Sequence, residues 1–144
     1  MLDQQFRNLM AGVCAPVTVV TTADADGPHG ATVSSLASLS LRPALLSIAL
    51  DRRSSLLARV LDTGRFGVNV LGSGQEDLAT TFASRGLDRF DGVGWSSWRD
   101  LPRLDGIVGW AACDLHQTIE AGDHLLIVGL VTHAASVELC LLYT

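Results

Sequence analysis

The apolar residues of this chain come in short extended runs, each closed by glycine, proline or aspartate, with no regular alternation of strand and helix between them. Such runs can bury their side chains only by pairing with one another, which restricts the chain to an antiparallel β architecture. Val17-Thr18-Val19-Val20-Thr21-Thr22 is rich in β-branched side chains that suit a pleated surface. Asp24-Ala25-Asp26-Gly27 supplies turn chemistry and the extended pattern resumes from His29 to Leu39, so the two runs read as a hairpin. Pro43 opens residues 44–50, apolar almost throughout and therefore predicted to be covered on both faces. Residues 66–71 form a further strand. Residues 105–119 and 123–135 are two long runs joined at Glu120-Ala121-Gly122-Asp123, and residues 137–143 give a last short strand.

Helical spacing is confined to three places. Leu2, Phe6, Leu9 and Met10 mark a short amphipathic helix over residues 2–12, and Leu56, Leu57, Val60 and Leu61 mark a second after the polar turn Asp51-Arg52-Arg53-Ser54-Ser55. Ser73 followed by Glu76 is a capping-box pattern that predicts a third helix over 74–85, with Leu78 and Phe82 on its inner side. Residues 86–104 contain three glycines, a proline and two tryptophans without clear periodicity and are predicted to be a long irregular excursion. The sum is a mainly β fold, an antiparallel β-barrel with a few short flanking helices, as one domain over 1–144.

Composition removes several functions. At 48% hydrophobic and 17% charged, with mean hydropathy +0.33, the chain is too apolar for disorder. Its apolar stretches all break well before the ~18 residues of a spanning helix, so no membrane partner is expected. All ten basic residues are arginine, which excludes a lysine Schiff base or a Walker-type phosphate lysine. A net charge of −5 with scattered arginines gives no basic stripe for nucleic acid. Cys14, Cys113 and Cys140 each sit among apolar neighbours and are expected to be buried thiols in a reducing compartment. The first residues lack the features of a signal segment, so a cytoplasmic location is expected.

Three motifs carry chemistry. Thr32-Val33-Ser34-Ser35-Leu36-Ala37-Ser38-Leu39-Ser40 places five hydroxyls in nine residues, suited either to a neutral ligand with many acceptors or to local bonding at a strand edge. At Arg52-Arg53-Ser54-Ser55 the free amides of a helix start, two hydroxyls and a guanidinium can converge on one phosphate; equally, Ser54 can cap the helix and both arginines be solvated. His124, in Gly122-Asp123-His124, can donate to a ligand at the mouth of the last hairpin or serve the turn itself. His29, His116 and His133 lack metal-ligand spacing, and the three-residue offset of Cys113 and His116 sends them to opposite strand faces, so no metal site is expected. With no nucleophile motif either, what remains is cofactor-borne chemistry or pure binding.

Taken in order, Val17 to Thr22, Gly30 to Ser40 with Pro43, Phe66 to Leu71 with Gln75, Phe82-Ala83, Leu104-Asp105-Gly106, and Gly122-Asp123-His124 with Gly129 and Val131 resemble the flavin reductase-like family, over roughly residues 7–143. That resemblance implies an FMN-binding split barrel that passes a hydride from NADH or NADPH to FMN or FAD and hands reduced flavin to a flavin-dependent monooxygenase. It also implies a homodimer. Laid on this chain, it places Thr32, Val33, Ser34 and Ser35 along the flavin ring, with Ala37 and Ser38 continuing that wall. It assigns Arg53, Ser54 and Ser55 to the flavin phosphate, His124 to the place where the nicotinamide enters, and Phe82 to Arg85 to a segment near the flavin. A carrier of flavin with the same fold but without efficient NAD(P)H oxidation is the alternative reading.

Overall fold

A computed structural model describes residues 1–86, 88–138 and 142. In chain order its elements are α1 (Leu2–Ala11), β1 (Thr18–Asp24), β2 (Gly27–Val33), β3 (Ala37–Leu41), β4 (Ala44–Asp51), α2 (Ser55–Thr63), β5 (Arg65–Val70), α3 (Glu76–Ala83), β6 (Trp95–Trp98), β7 (Leu101–Leu104), β8 (Gly109–Ala121) and β9 (His124–Ser136). Seven strands make one antiparallel sheet in the order β2-β1-β5-β8-β9-β4-β3, and β6 pairs with β7 in a separate hairpin.

The two edges of the large sheet, β2 and β3, are consecutive in the chain. Only residues 34–36 connect them, so Val33 and Ala37 lie at most about 14 Å apart. A flat sheet of seven strands at about 4.8 Å spacing would hold its edges nearly 30 Å apart. The sheet must therefore curl until its edges approach, yet no ladder joins β2 to β3. The expected barrel is thus an open, curled sheet with a seam, and no closed barrel is formed by hydrogen bonds among the described residues.

Inside the curl lie Val20, Ile48, Phe66, Val68 and Ile127, and α2 covers one end by inserting Leu56, Leu57 and Val60. A second cluster of Val19, Leu71, Phe82, Phe90 and Leu104 packs α3 and the β7 region on the outer face of β1. Strand β1 is consequently buried on both faces, and its threonines are satisfied. Thr18 Oγ1 donates to Val33 O at 2.6 Å and Thr21 Oγ1 to Pro102 O at 2.6 Å. Asn69 is fully buried and bridges strands, its amide donating to Val19 O at 3.0 Å while its Oδ1 accepts from Leu104 N at 2.8 Å.

Several sequence expectations change. Strand β4 is buried at Ser47, Ile48 and Leu50 but only half-buried elsewhere, because its neighbour β3 is an exposed edge. The run from His29 to Leu39 is interrupted at 34–36, where the chain crosses the seam. Helix α3 starts at Glu76 without a side-chain cap: Gly74 has φ 91°, outside the helical region, and Gln75 Oε1 accepts from Gly72 N instead. The irregular excursion contains the β6–β7 hairpin, hidden in the sequence because Arg99 and Asp100 take the positive φ values, 47° and 70°, where glycine or asparagine is usual. Cys14 is exposed, whereas Cys113 is buried and its thiol is pushed up to about 12 by that burial. His116 falls at the register shift between Leu115 and Gln117. Most of the expected strand over 137–143, with Cys140, lies outside the described residues.

Gly67 makes the close approach that lets Trp110 lie over β5: a β-carbon there would meet the Trp110 ring and stand 2.9 Å from Thr21 Oγ1. Gly67→Ala is expected to lose about 1–2 kcal/mol by overpacking, read as a lower midpoint in urea unfolding with an unchanged slope.

The β1–β2 turn is pinned to α2 by charge. Asp24 accepts from His29 Nε2 and from Arg59 Nη1, both at 2.8 Å, and Arg59 also reaches Asp26. These partners, His29 first, hold the Asp24 carboxyl at about 2, below its ordinary 3.8. A depressed carboxylate contributes stability that is complete above the unfolded value and is lost as pH falls toward the folded one. The melting temperature should therefore fall between pH 4 and pH 2 with a slope that Asp24→Asn reduces; an equal slope in the variant would remove Asp24 from the acid transition.

Candidate functional site

The seam is where the chemistry-bearing motifs meet. On one side runs the end of β2 with residues 34–36; on the other is the end of β4 and the turn into α2. Ser35 ties the two, its Oγ donating to Ala49 O at 3.0 Å and accepting from Ala49 N at 2.9 Å. Two connected hollows follow the seam. One, of about 330 Å³, is lined by Ala31 to Ser35, Ala49 to Asp51, Ser54 and His124. The next, of about 620 Å³, shares Ala31, Thr32, Asp51 and Ser54 and continues along Arg53, Ser55, Phe82, Ala83, Arg85 and Arg89.

The two ends of this groove are joined by strand register. His124 is paired directly with Asp51, so the start of β9 sits beside the polar turn into α2. Arg52 fixes that contact from outside the groove: its amide donates to Asp123 O at 3.0 Å and its Nε to Gly122 O at 2.8 Å. Gly122 has φ 62°, which lets the β8–β9 turn close there. His124 Nδ1 lies 2.7 Å from Asp123 Oδ1. A carboxylate only accepts, so Nδ1 carries the proton, leaving Nε2 as an acceptor in the neutral ring and a donor in the charged one.

The turn itself supports both readings of its sequence. Ser54 caps α2, accepting from Leu57 N at 3.3 Å, and Ser55 opens the helix on the groove side. Arg53 does not stand free: it grips Asp51 with Nε and Nη2 at 3.2 and 3.1 Å, and Asp51 also accepts the Arg53 amide at 2.8 Å. Arg53, chiefly by that side-chain bond, holds the Asp51 carboxyl at about 2, so an acid in the groove wall is ionised and neutralised by its neighbour. The Arg53 side chain is 89% exposed and the helix start faces the same space.

Of the hydroxyls expected to line a ligand, Thr32 Oγ1 is committed to Ala79 O at 2.6 Å and Ser35 to β4. Ser34 and Ser55 line the groove with no protein hydrogen bond to their hydroxyls among the described residues. Ala37 and Ser38 lie on β3, exposed and outside the groove lining. Phe82 is fully buried, 4.9 Å from Phe90 in an edge-to-face pair and tight against Gly30, so it supports the floor from below. Arg85 lines the wall. Sequence reading missed Asp51, Ala31 and Arg89; the first two belong to segments already singled out, but Arg89 sits in the stretch read as irregular. Among the described residues no three His, Cys, Asp or Glu side chains form a metal-binding group.

Backbone at the interrupted ladder, two uncommitted hydroxyls, a helix start and arginines along one wall suit a flat molecule rich in acceptors that carries an anionic tail. The residues present fit a flavin phosphate in both charge and hydrogen-bond capacity. The chain belongs to the family of proteins with a flavin reductase like domain, whose sequence profile matches residues 10–144. It is 38% identical over 130 residues to a flavin reductase of Pseudomonas putida, covering 89% of this chain and 76% of that one. It is 36% identical over 135 residues to the reductase component of a flavin-dependent trigonelline monooxygenase of Acinetobacter baylyi, covering 92% and 44%. The chain spans less than half the length of that protein, and 42% of a relative from Rhizobium meliloti to which it is 41% identical over 129 residues. Among solved structures, an NADH:FAD oxidoreductase of Streptomyces globisporus in complex with NAD and FAD fragments superposes with a TM-score of 0.94 at 31% identity, over 98% of this chain and 87% of that one.

Proposed function

We propose that this chain is an NAD(P)H:flavin oxidoreductase that reduces FMN or FAD and supplies reduced flavin to a partner flavin-dependent monooxygenase. The observation that carries the reading is the seam itself, where the hydroxyl-rich crossing at 32–35, the turn at 53–55 and His124 line one continuous groove. A bound flavin would supply the hydride-accepting ring, and the chain's own residues would bind, orient and shield the two ring systems. Ser34 and main-chain groups at 33–35 orient the ring system. The α2 start, Ser55, Arg53 and Arg85 hold the phosphate. His124, at the far end of the groove from Arg85, positions the nicotinamide through Nε2.

In this reading the curled sheet with its open seam is a split barrel, active as a homodimer in the cytoplasm, where the free thiols Cys14 and Cys113 stay reduced. Two relatives named as reductase components of monooxygenases support the assignment of an oxygenase partner. The test is the loss of reduced-nicotinamide absorbance with purified protein and excess FMN, then FAD, repeated with NADPH. Rapid loss that requires added flavin is expected. Flavin bound without turnover would mark a carrier and overturn the reductase reading.

A further inference from the structure

A further hollow lies apart from the groove, where the β6–β7 hairpin meets the β1–β2 turn. It encloses about 390 Å³ and shares no lining residue with either part of the seam groove. Ala23, Pro28 and Pro102 give it apolar walls, Trp95 an aromatic one, and Asp24 and Asp100 its two carboxylates. Thr21 Oγ1 donates to Pro102 O at 2.6 Å and so seats one wall on the sheet. Trp95 is 37% exposed, although Phe66, Phe82 and Trp110 are buried; its ring meets Phe90 edge-to-face at 5.6 Å, and its exposed surface borders the hollow. The two acids differ. Asp24 is committed to His29 and Arg59, and Arg59 also serves Asp26, so one guanidinium is shared by two carboxylates. The Asp100 carboxylate has neither a hydrogen bond nor an ion pair among the described residues. Its neighbour does not neutralise it, because the Arg99 guanidinium lies over the Trp98 ring, 4.8 Å from its centre. The hollow therefore carries surplus negative charge beside an exposed indole.

We propose that this hollow binds a small organic cation, an ammonium ion on an apolar body, with Trp95 and Asp100 receiving the charge and the apolar walls taking the body. An aromatic face attracts a cation through its quadrupole, and an unpaired carboxylate accepts the N–H groups of an ammonium. A volume of about 390 Å³ and mostly apolar walls with a few polar groups are the proportions of a small-molecule site. A neutral molecule of the same shape gains less from Asp100, and an anionic one is repelled. Asp100 sits at φ 70° in the β6–β7 turn, a conformation that asparagine shares, so its charge can be removed while the turn is kept.

The test follows the indole N–H resonances of the purified protein, with that of Trp95 assigned through Trp95→Phe, during titration with phenethylammonium, phenethyl alcohol and hydrocinnamate. The three probes share an apolar body and differ in charge. The cation should shift the Trp95 signal with a Kd of about 1 mM, the alcohol should bind about tenfold more weakly, and the anion should leave the signal in place. Asp100→Asn should weaken the cation about tenfold, while the alcohol stays within about twofold. A cation that binds no better than the alcohol overturns the proposal, as does one that binds Asp100→Asn as tightly as the wild type. The same holds if the Trp95 signal stays in place at about ten times the expected Kd. Should Asp100→Asn fail to fold, the comparison of the three probes on the wild type decides. No flavin enters the measurement, so its outcome is separate from that of the reductase reading.

Discussion

Replacing His124 with alanine is expected to slow flavin-dependent NAD(P)H oxidation about 100-fold, while flavin affinity stays within about threefold. The difference follows from where His124 sits. It lines the hollow that holds residues 31–35 but not the hollow that holds Arg53, Ser55 and Arg85, so its loss leaves the proposed phosphate contacts untouched. Its ring is held by Asp123, and the turn carrying both is clamped by Arg52, so Nε2 is a fixed point at the groove mouth. Misplacing two reacting rings by about 1 Å costs roughly 100-fold, which sets the size of the effect. His124→Gln, whose amide can accept or donate at similar reach, should recover part of the rate. An unchanged rate in His124→Ala would remove the residue from the mechanism.

The paired substitution Ser54→Ala with Ser55→Ala should weaken flavin binding by about 1–3 kcal/mol, the cost of losing hydrogen bonds to a charged group. The two serines contribute differently. Ser54 accepts from Leu57 N as the cap of α2, so Ser54→Ala should also cost about 1 kcal/mol of folding stability. Ser55 has no protein hydrogen bond to its hydroxyl among the described residues, and Ser55→Ala alone should leave the melting temperature unchanged while FMN binds about tenfold more weakly. Riboflavin, which lacks the phosphate, serves as the control and should bind both variants as it binds the wild type. Equal losses for riboflavin and FMN would place the phosphate elsewhere.

Much of this arrangement was legible in the sequence because it rests on local signals. A β-branched run marked β1, turn residues marked the β1–β2 and β8–β9 connections, and the serine pair marked the start of α2. What escaped depends on partners distant in sequence. The seam arises because residues 34–36 must link the two edges of one sheet, and nothing local at Ser34 or Ser35 announces an edge. The Trp95–Trp98 strand was hidden by a turn built on Arg99 and Asp100, and with it Arg89 was passed over, although its hydrogen bond to Gly30 O spans 59 positions. Ala37 and Ser38 continue the hydroxyl-rich run in sequence, but the chain has crossed the seam by then and they stand on the outer edge. Cys14 shows the same limit: apolar neighbours at 13 and 15 do not bury a residue in the exposed link after α1.

In the proposed reaction this groove brings a reduced nicotinamide to a flavin. The most direct measurement mixes the protein with a limiting amount of flavin and one equivalent of NADH without oxygen, and follows the absorption band of the oxidised flavin. Bleaching of that band in step with NADH loss, slowed when the transferred hydrogen at the nicotinamide is deuterium and slowed again in His124→Ala, is the result predicted here. A band that stays unbleached with flavin demonstrably bound, for both NADH and NADPH, would contradict it.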